Sequence, residues 1–160
     1  KAARQLVNHG HVEVNGRRTA AQTVEVLDAV PAVFQLGLTN RAAVLNQDGA
    51  VNTPANPAKR GSIVSIFLTG AGTLDPVPAD GAIAGAPLPT HKLPIQVLFT
   101  GARAPAPILY AGPAPGLVAG VTQINARIPE DMQLFGVPVN LIVLAGTNSS
   151  LAQVTLEIAP

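Results

Sequence analysis

Apolar and polar residues alternate along most of this chain with a period of two, the spacing that puts successive side chains on opposite faces of a strand. In Gln22–Asp28, Val24 and Val26 oppose Thr23 and Glu25. In Leu93–Phe99, Ile95, Val97 and Phe99 share one face, opposite Gln96. In Val121–Ile128, Ile124, Ala126 and Ile128 oppose Gln123, Asn125 and Arg127. Val139, Leu141 and Val143 form the apolar row of Val137–Leu144. Val154, Leu156 and Ile158 do the same in Ala152–Ile158, against Thr155 and Glu157. One-sided strands of this kind belong to antiparallel sheets with one wet face. The common phase predicts a single core built from Ile95, Val97, Ile124, Ala126, Val139, Leu141, Val154 and Leu156.

Ser62–Leu68 is more continuously apolar, which predicts a central strand. Ala42–Leu45 and Ile108–Tyr110 are shorter strand candidates. Asp48-Gly49, Asp80-Gly81 and Gly112-Pro113 read as turns between strands. Asp48–Gly61 and Gly70–Lys92 read as long loops, and Gly112–Gly116 as a rigid turn with Tyr110 packed beneath it. The one helical turn expected is Pro129–Phe135, with Pro129 at its start. About eight to ten short strands at this spacing predict an antiparallel β-sandwich or barrel.

Composition agrees. Hydrophobic residues make up 48% and aromatics 3%, so the core must be aliphatic. With 15 Gly and 15 Pro, long helices would be interrupted. Charged residues are 12% and the net charge is +1, so no overall field draws the chain to nucleic acid or membrane. Cysteine is absent, which leaves packing to do what disulfides do in many small exported domains. No apolar run reaches the ~18 residues of a membrane-spanning helix. The chain opens on Lys1 and is read as part of something longer.

Ala20–Val26 (AAQTVEV) and Leu151–Ile158 (containing AQVTLEI) form an internal near-repeat. It implies that residues 10–30 are the closing hairpin of one module, with Val12–Val14 pairing Thr23–Val26 across Asn15–Ala21. Residues 31–160 then form a second module.

Two resemblances add to this. Pro31–Phe34 (PAVF), Ala43–Ala58 (AVLNQDGAVNTPANPA), Arg60–Gly61, Thr69–Gly72 (TGAG), Gly85–Leu88 (GAPL), Tyr110–Val118 (YAGPAPGLV) and Gln123–Pro129 (QINARIP) together resemble an uncharacterised immunoglobulin-like C-terminal domain family. That family occurs in large secreted proteins of soil acidobacteria. The resemblance covers most of residues 31–160 and implies fold and location; it transfers no catalytic residue. The first nineteen residues, KAARQLVNHGHVEVNGRRT, are similar to the core of the small RNA-binding motif of ribosomal proteins and pseudouridine synthases. This second resemblance implies a helix over Ala2–Asn8 and phosphate contacts from Arg4, Arg17 and Arg18.

Few residues point to chemistry. His9, His11 and Glu13 would share one face of a strand and could ligate a metal, although exposed positions on an edge strand account for them. Asn46, Asp48 and Asn52 flank Gly49 in an oxygen-rich loop, the type that holds calcium; the distal Glu of a calcium loop is missing, and a turn alone explains Asp48-Gly49. Asp75, Asp80 and His91 share the Gly70–Lys92 loop, which contains no Ser, and the chain has no GxSxG elbow. Ser62 and Ser65 read as pleat residues, and Glu130 and Asp131 as divergent neighbours. Gly70, Gly72 and Gly112–Gly120 lack the Lys-Ser/Thr of a phosphate loop.

The reading is therefore an all-β protein: an N-terminal segment, residues 1–30, and an antiparallel immunoglobulin-like β-sandwich, residues 31–160. The expected role is a non-catalytic structural, adhesion or assembly module of a secreted or cell-surface bacterial protein, with no cofactor. Its partners would be neighbouring modules or other subunits, including a second copy through sheet-edge or hairpin contacts. Binding of RNA by Arg4, Arg17 and Arg18, and a carbohydrate-binding module, are the alternatives. Sugar platforms usually need exposed aromatics, and this chain has one Tyr, four Phe and no Trp.

Overall fold

The computed structural model describes residues 5–9, 13–14, 17–18, 22–135, 138–150 and 153–160; up to residue 25 it describes backbone pairing alone. In chain order the strands are β1 (Gln5–His9), β2 (Glu13–Val14), β3 (Arg17–Arg18), β4 (Gln22–Val26), β5 (Ala32–Val33), β6 (Val44–Leu45), β7 (Ile63–Thr69) and β8 (Leu74–Asp75). There follow β9 (Thr90–His91), β10 (Ile95–Phe99), β11 (Ile108–Pro113), β12 (Thr122–Arg127), β13 (Val139–Ala145), β14 (Asn148–Ser149) and β15 (Val154–Leu156). No helix occurs among the described residues. None of them therefore forms a helix long and apolar enough to cross a membrane.

Two sheets carry the core. One runs β11-β12-β7 and continues to β5 and β6, which flank successive halves of β7. The other has β13 at its centre, with β10 on one side and β14 and β15 pairing it as well. All of these ladders are antiparallel. Val64, Ile66, Leu68, Ile124 and Ala126 of the first sheet join Val97, Phe99, Leu141, Val143, Val154 and Leu156 of the second in one buried cluster. Seven of the eight core residues expected from alternation are buried there, and Ile95 packs against its margin. Phe99 is the one aromatic in the cluster, so aliphatic side chains fill the rest. The central position expected for Ser62–Leu68 is that of β7, with β12 on one side and β5 and β6 on the other.

Where the chain departs from the alternation reading, the backbone supplies the reason. Gly112 and Pro113 are not a turn: they end β11, opposite Gln123 and Thr122. Pro113 is tolerated because β11 ends the strand order and proline costs no central ladder bond there. The reversal comes later, where Gly116 has φ 78. Tyr110 still reaches this segment, donating its hydroxyl to the Pro113 carbonyl at 2.6 Å. Pro129–Phe135 is not helical. The Gln133 N–H, which a helix would direct four residues back, donates instead to Gly101 O at 2.9 Å, while Met132 is buried in the core. Gly101 has φ 94, and a Cβ there would run into the Gln133 carbonyl, so this close crossing requires glycine.

The N-terminal pairing also differs from expectation. β4 pairs β1, with Val24 opposite Val7, and not the Val12–Val14 segment. β2 instead pairs β3, with Val14 opposite Arg17 and Asn15-Gly16 between them. Gln5–His9 is strand where the RNA-motif resemblance implies helix. Beyond this ribbon the chain joins the first sheet at once: Val30 N–H donates to Gly70 O at 2.9 Å.

Candidate functional site

The oxygen-rich loop is built as a hairpin. Asn46 N–H donates to Ala50 O and Asn52 N–H to Val44 O, and Gly49 takes φ 81 at the turn. The Asp48 carboxylate accepts the Ala50 N–H at 3.0 Å, as an Asp-Gly turn requires. The two asparagines at the hairpin's base are nearly excluded from solvent. Asn52 Nδ2 donates to Asn46 Oδ1 at 3.0 Å and to Glu157 O at 2.8 Å, and Asn52 Oδ1 accepts the Glu157 N–H at 2.7 Å. Asn46 Nδ2 donates to Asn56 O at 2.9 Å. Asn46 Oδ1, Asn52 Oδ1 and one oxygen of the exposed Asp48 carboxylate, the three calcium candidates, therefore face N–H groups. Asn52, held by Asn46, is a brace that ties the loop to the chain's last strand region, while Asp48 serves its own turn. A cleft of about 430 Å³ lies beside it, lined by Gln47, Asp48, Asn56, Lys59 and Ser62 among others.

The loop acids and His91 do not converge. β8 and β9 form a short ribbon in which Leu74 is opposite His91 and Asp75 opposite Thr90. Adjacent positions of a strand point to opposite faces, so the Asp75 carboxylate and the His91 ring project from opposite sides. Asp80 is exposed in a separate turn. His91 Nε2 lies 3.2 Å from Thr122 Oγ1, but Thr122 is buried on β12, out of reach of a substrate. His91 Nδ1 is buried with no hydrogen-bond partner among the described residues. Burial holds the imidazole below its ordinary value of 6.5, with the Gly72 backbone acting the other way.

That shift has a sign. The folded chain binds fewer protons at His91 than the unfolded chain does. The associated stability is complete above pH 6.5 and is lost as pH falls below that value toward the folded pKa. Urea midpoints measured from pH 7.5 to 5 should fall for the native chain, and His91→Gln should flatten that fall. An unchanged slope in the variant would assign the pH dependence to other groups.

His9 ends β1 and Glu13 opens β2, so they are not successive positions of one strand; His11 lies outside the described residues. Arg4 also lies outside them, and Arg17 and Arg18 form β3. No group of three or more His, Cys, Asp or Glu that could hold a metal ion occurs among the described residues.

Alternation along β12 indicated which residues face outward but not what they do there. Asn125 Oδ1 accepts both Ser65 Oγ–H and Gln123 Nε2–H, each at 2.9 Å. These three form a polar ladder on the outer face of the first sheet, because Asn125 pairs Ser65 across the β12–β7 ladder. Gln, Asn and Ser at outward positions are ordinary in any sheet, so only the register reveals the ladder.

Compared with protein-family models, curated proteins and solved structures, the chain matches none.

Proposed function

We propose that this chain is a non-catalytic structural or assembly module, an immunoglobulin-like β-sandwich belonging to a secreted or cell-surface multidomain protein. The observation that carries the reading is the path of residues 40–58, which hydrogen-bond to both sheets. Val44 and Leu45 pair β7 of the first sheet. Just before them, Ala42 N–H donates to Thr155 O and Thr155 N–H donates to Asn40 O, beside β15 of the second. Further on, Ala58 N–H donates to Glu157 O and Ala159 N–H to Ala58 O. A segment that passes from one sheet to the other covers an open edge of each, which blunts edge-to-edge aggregation. It also ties the layers together without cysteine. The sequence resemblance over residues 31–160 points to an immunoglobulin-type sandwich as well.

A chain whose buried asparagines, Asn46 and Asn52, hold its own backbone is suited to bearing and spacing more than to turnover. The purified chain, assayed against chromogenic ester, peptide and glycoside substrates, should show no turnover above blank. Reproducible turnover abolished by Asp75→Asn or His91→Gln would overturn the reading.

A further inference from the structure

Three of the chain's five aromatic side chains come together on one face. On the outer side of the first sheet, Tyr110 lies opposite Asn125, Asn125 opposite Ser65, and Ser65 opposite Leu45. In the neighbouring row Gln123 lies opposite Phe67, and Phe34 adjoins Phe67 through its N–H, which donates to Phe67 O at 2.9 Å. The polar ladder of Ser65, Asn125 and Gln123 is thus flanked by Tyr110 on one side and by Phe67 and Phe34 on the other. All six side chains are half-buried or exposed.

Tyr110 is tethered at its hydroxyl. Its hydroxyl is tied to Pro113 O at 2.6 Å, and the ring lies over Gly112, where a Cβ would meet the phenol oxygen at 2.7 Å. The bulge at Leu109 sets this geometry by shifting the register of β11 one residue before Tyr110. Tyr110 and Phe67 stand two strands and two residues apart, about 12 Å from strand spacing and rise, the reach of a short oligosaccharide.

The same rows are nearly uncharged. Arg127 is their one ionic side chain, and its guanidinium donates to Gly61 O at 2.7 Å. Asn125 spends its oxygen on Ser65 and Gln123, which leaves its Nδ2 donors and the Gln123 carbonyl without partners among the described residues. A surface of apolar rings around fixed amides, with neither excess charge, offers little to a polyanion, a polycation or a lipid headgroup. It matches a ligand that presents apolar C–H faces for stacking and hydroxyls at the rim. We propose that the outer face of the β11-β12-β7 sheet binds a neutral polysaccharide, with Tyr110 and Phe67 as stacking platforms and Asn125 and Gln123 as hydroxyl partners.

Affinity electrophoresis of the full chain in native gels tests this, with hydroxyethylcellulose, xylan, galactomannan or polygalacturonate in the gel. At least one of the three neutral polymers should retard the chain. Gln123→Ala and Asn125→Asp should each weaken that retardation about tenfold, the effect of losing one contact near 1.4 kcal/mol. Both variants change half-buried outer positions, and an unchanged melting temperature would show that they still fold. Leu38→Ala, at a fully exposed turn tip and outside the rows of the proposed face, should migrate like the native chain. Absence of retardation by all three neutral polymers, retardation by polygalacturonate alone, or retardation equal in native chain and both variants would overturn the proposal. None of these outcomes would touch the non-catalytic reading, which the turnover assay tests separately.

Discussion

Ile124→Ala should lower the free energy of unfolding by about 2–5 kcal/mol, read as a shift in urea midpoint at constant slope. Ile124 is in the middle of β12 with no solvent exposure. It lies opposite Ile66 on β7 and Ala111 on β11, so backbone ladders run along both sides of it. Its side chain enters the cluster shared with Val97, Leu141, Val143 and Leu156 of the facing sheet. Truncation removes three carbons from that layer. The walls cannot close on the space, because moving β12 inward would break its bonds to two neighbours. Both the lost burial and the residual cavity are therefore felt. A loss under about 0.5 kcal/mol would place Ile124 outside the core and undo the register of the whole first sheet.

Alternation makes such a core legible because inward and outward faces differ chemically, and each strand reports its own phase. Val139, Leu141, Val154 and Leu156 could be placed inward without knowledge of which strand pairs which. Partner choice is another matter. Nothing local in Gln22–Val26 states that it pairs Gln5–His9 and not the nearer Val12–Val14, since the alternation of Val24 and Val26 suits either partner. The short Val14–Arg17 pairing replaces the wider closure expected across Asn15–Ala21, because an Asn-Gly dipeptide favours a tight two-residue connection. Pro113 misled because proline marks turns far more often than the ends of edge strands. Met132 misled because a seven-residue mixture of apolar and polar positions can be a helical turn or a plug into the core, and the backbone bond from Gln133 to Gly101, thirty-odd positions earlier in the chain, decides between them.

The candidate site was legible in its residues and illegible in its roles. Asn46, Asp48 and Asn52 announce an oxygen-rich loop, but only the fold shows which oxygens meet a cation and which meet an amide. Glu157 illustrates the converse. Its place in the alternation is outward, yet it is buried, because the loop carrying Asn52 lies against it and binds both its N–H and its carbonyl. The outer ladder of Ser65, Asn125 and Gln123 was illegible for the same reason: Ser65 is distant in sequence from the other two, and the register alone aligns it with them.

The second large effect follows from that brace. Asn52→Ala should cost about 2–4 kcal/mol. Asn52 is almost fully buried, and it makes two donor bonds and one acceptor bond. Truncation to Ala removes all three. Glu157 O keeps the Ala58 N–H as a partner, but the Glu157 N–H and Asn46 Oδ1 are left without theirs. An orphaned buried polar group costs roughly 1–3 kcal/mol, so two of them outweigh the small apolar area lost. The effect should also be local in a way that a core cavity is not. In hydrogen exchange, the Glu157 amide should lose protection first, ahead of the β12 amides, because the brace is what holds the 52–58 loop against that amide. Calcium provides the discriminating control. With the brace alone, the melting temperature of the native chain is the same in millimolar calcium and in chelator, and the Asn52→Ala deficit is identical in both. A calcium-dependent rise in the native chain that disappears in Asn52→Ala would make the loop a cation site and the asparagines its ligands.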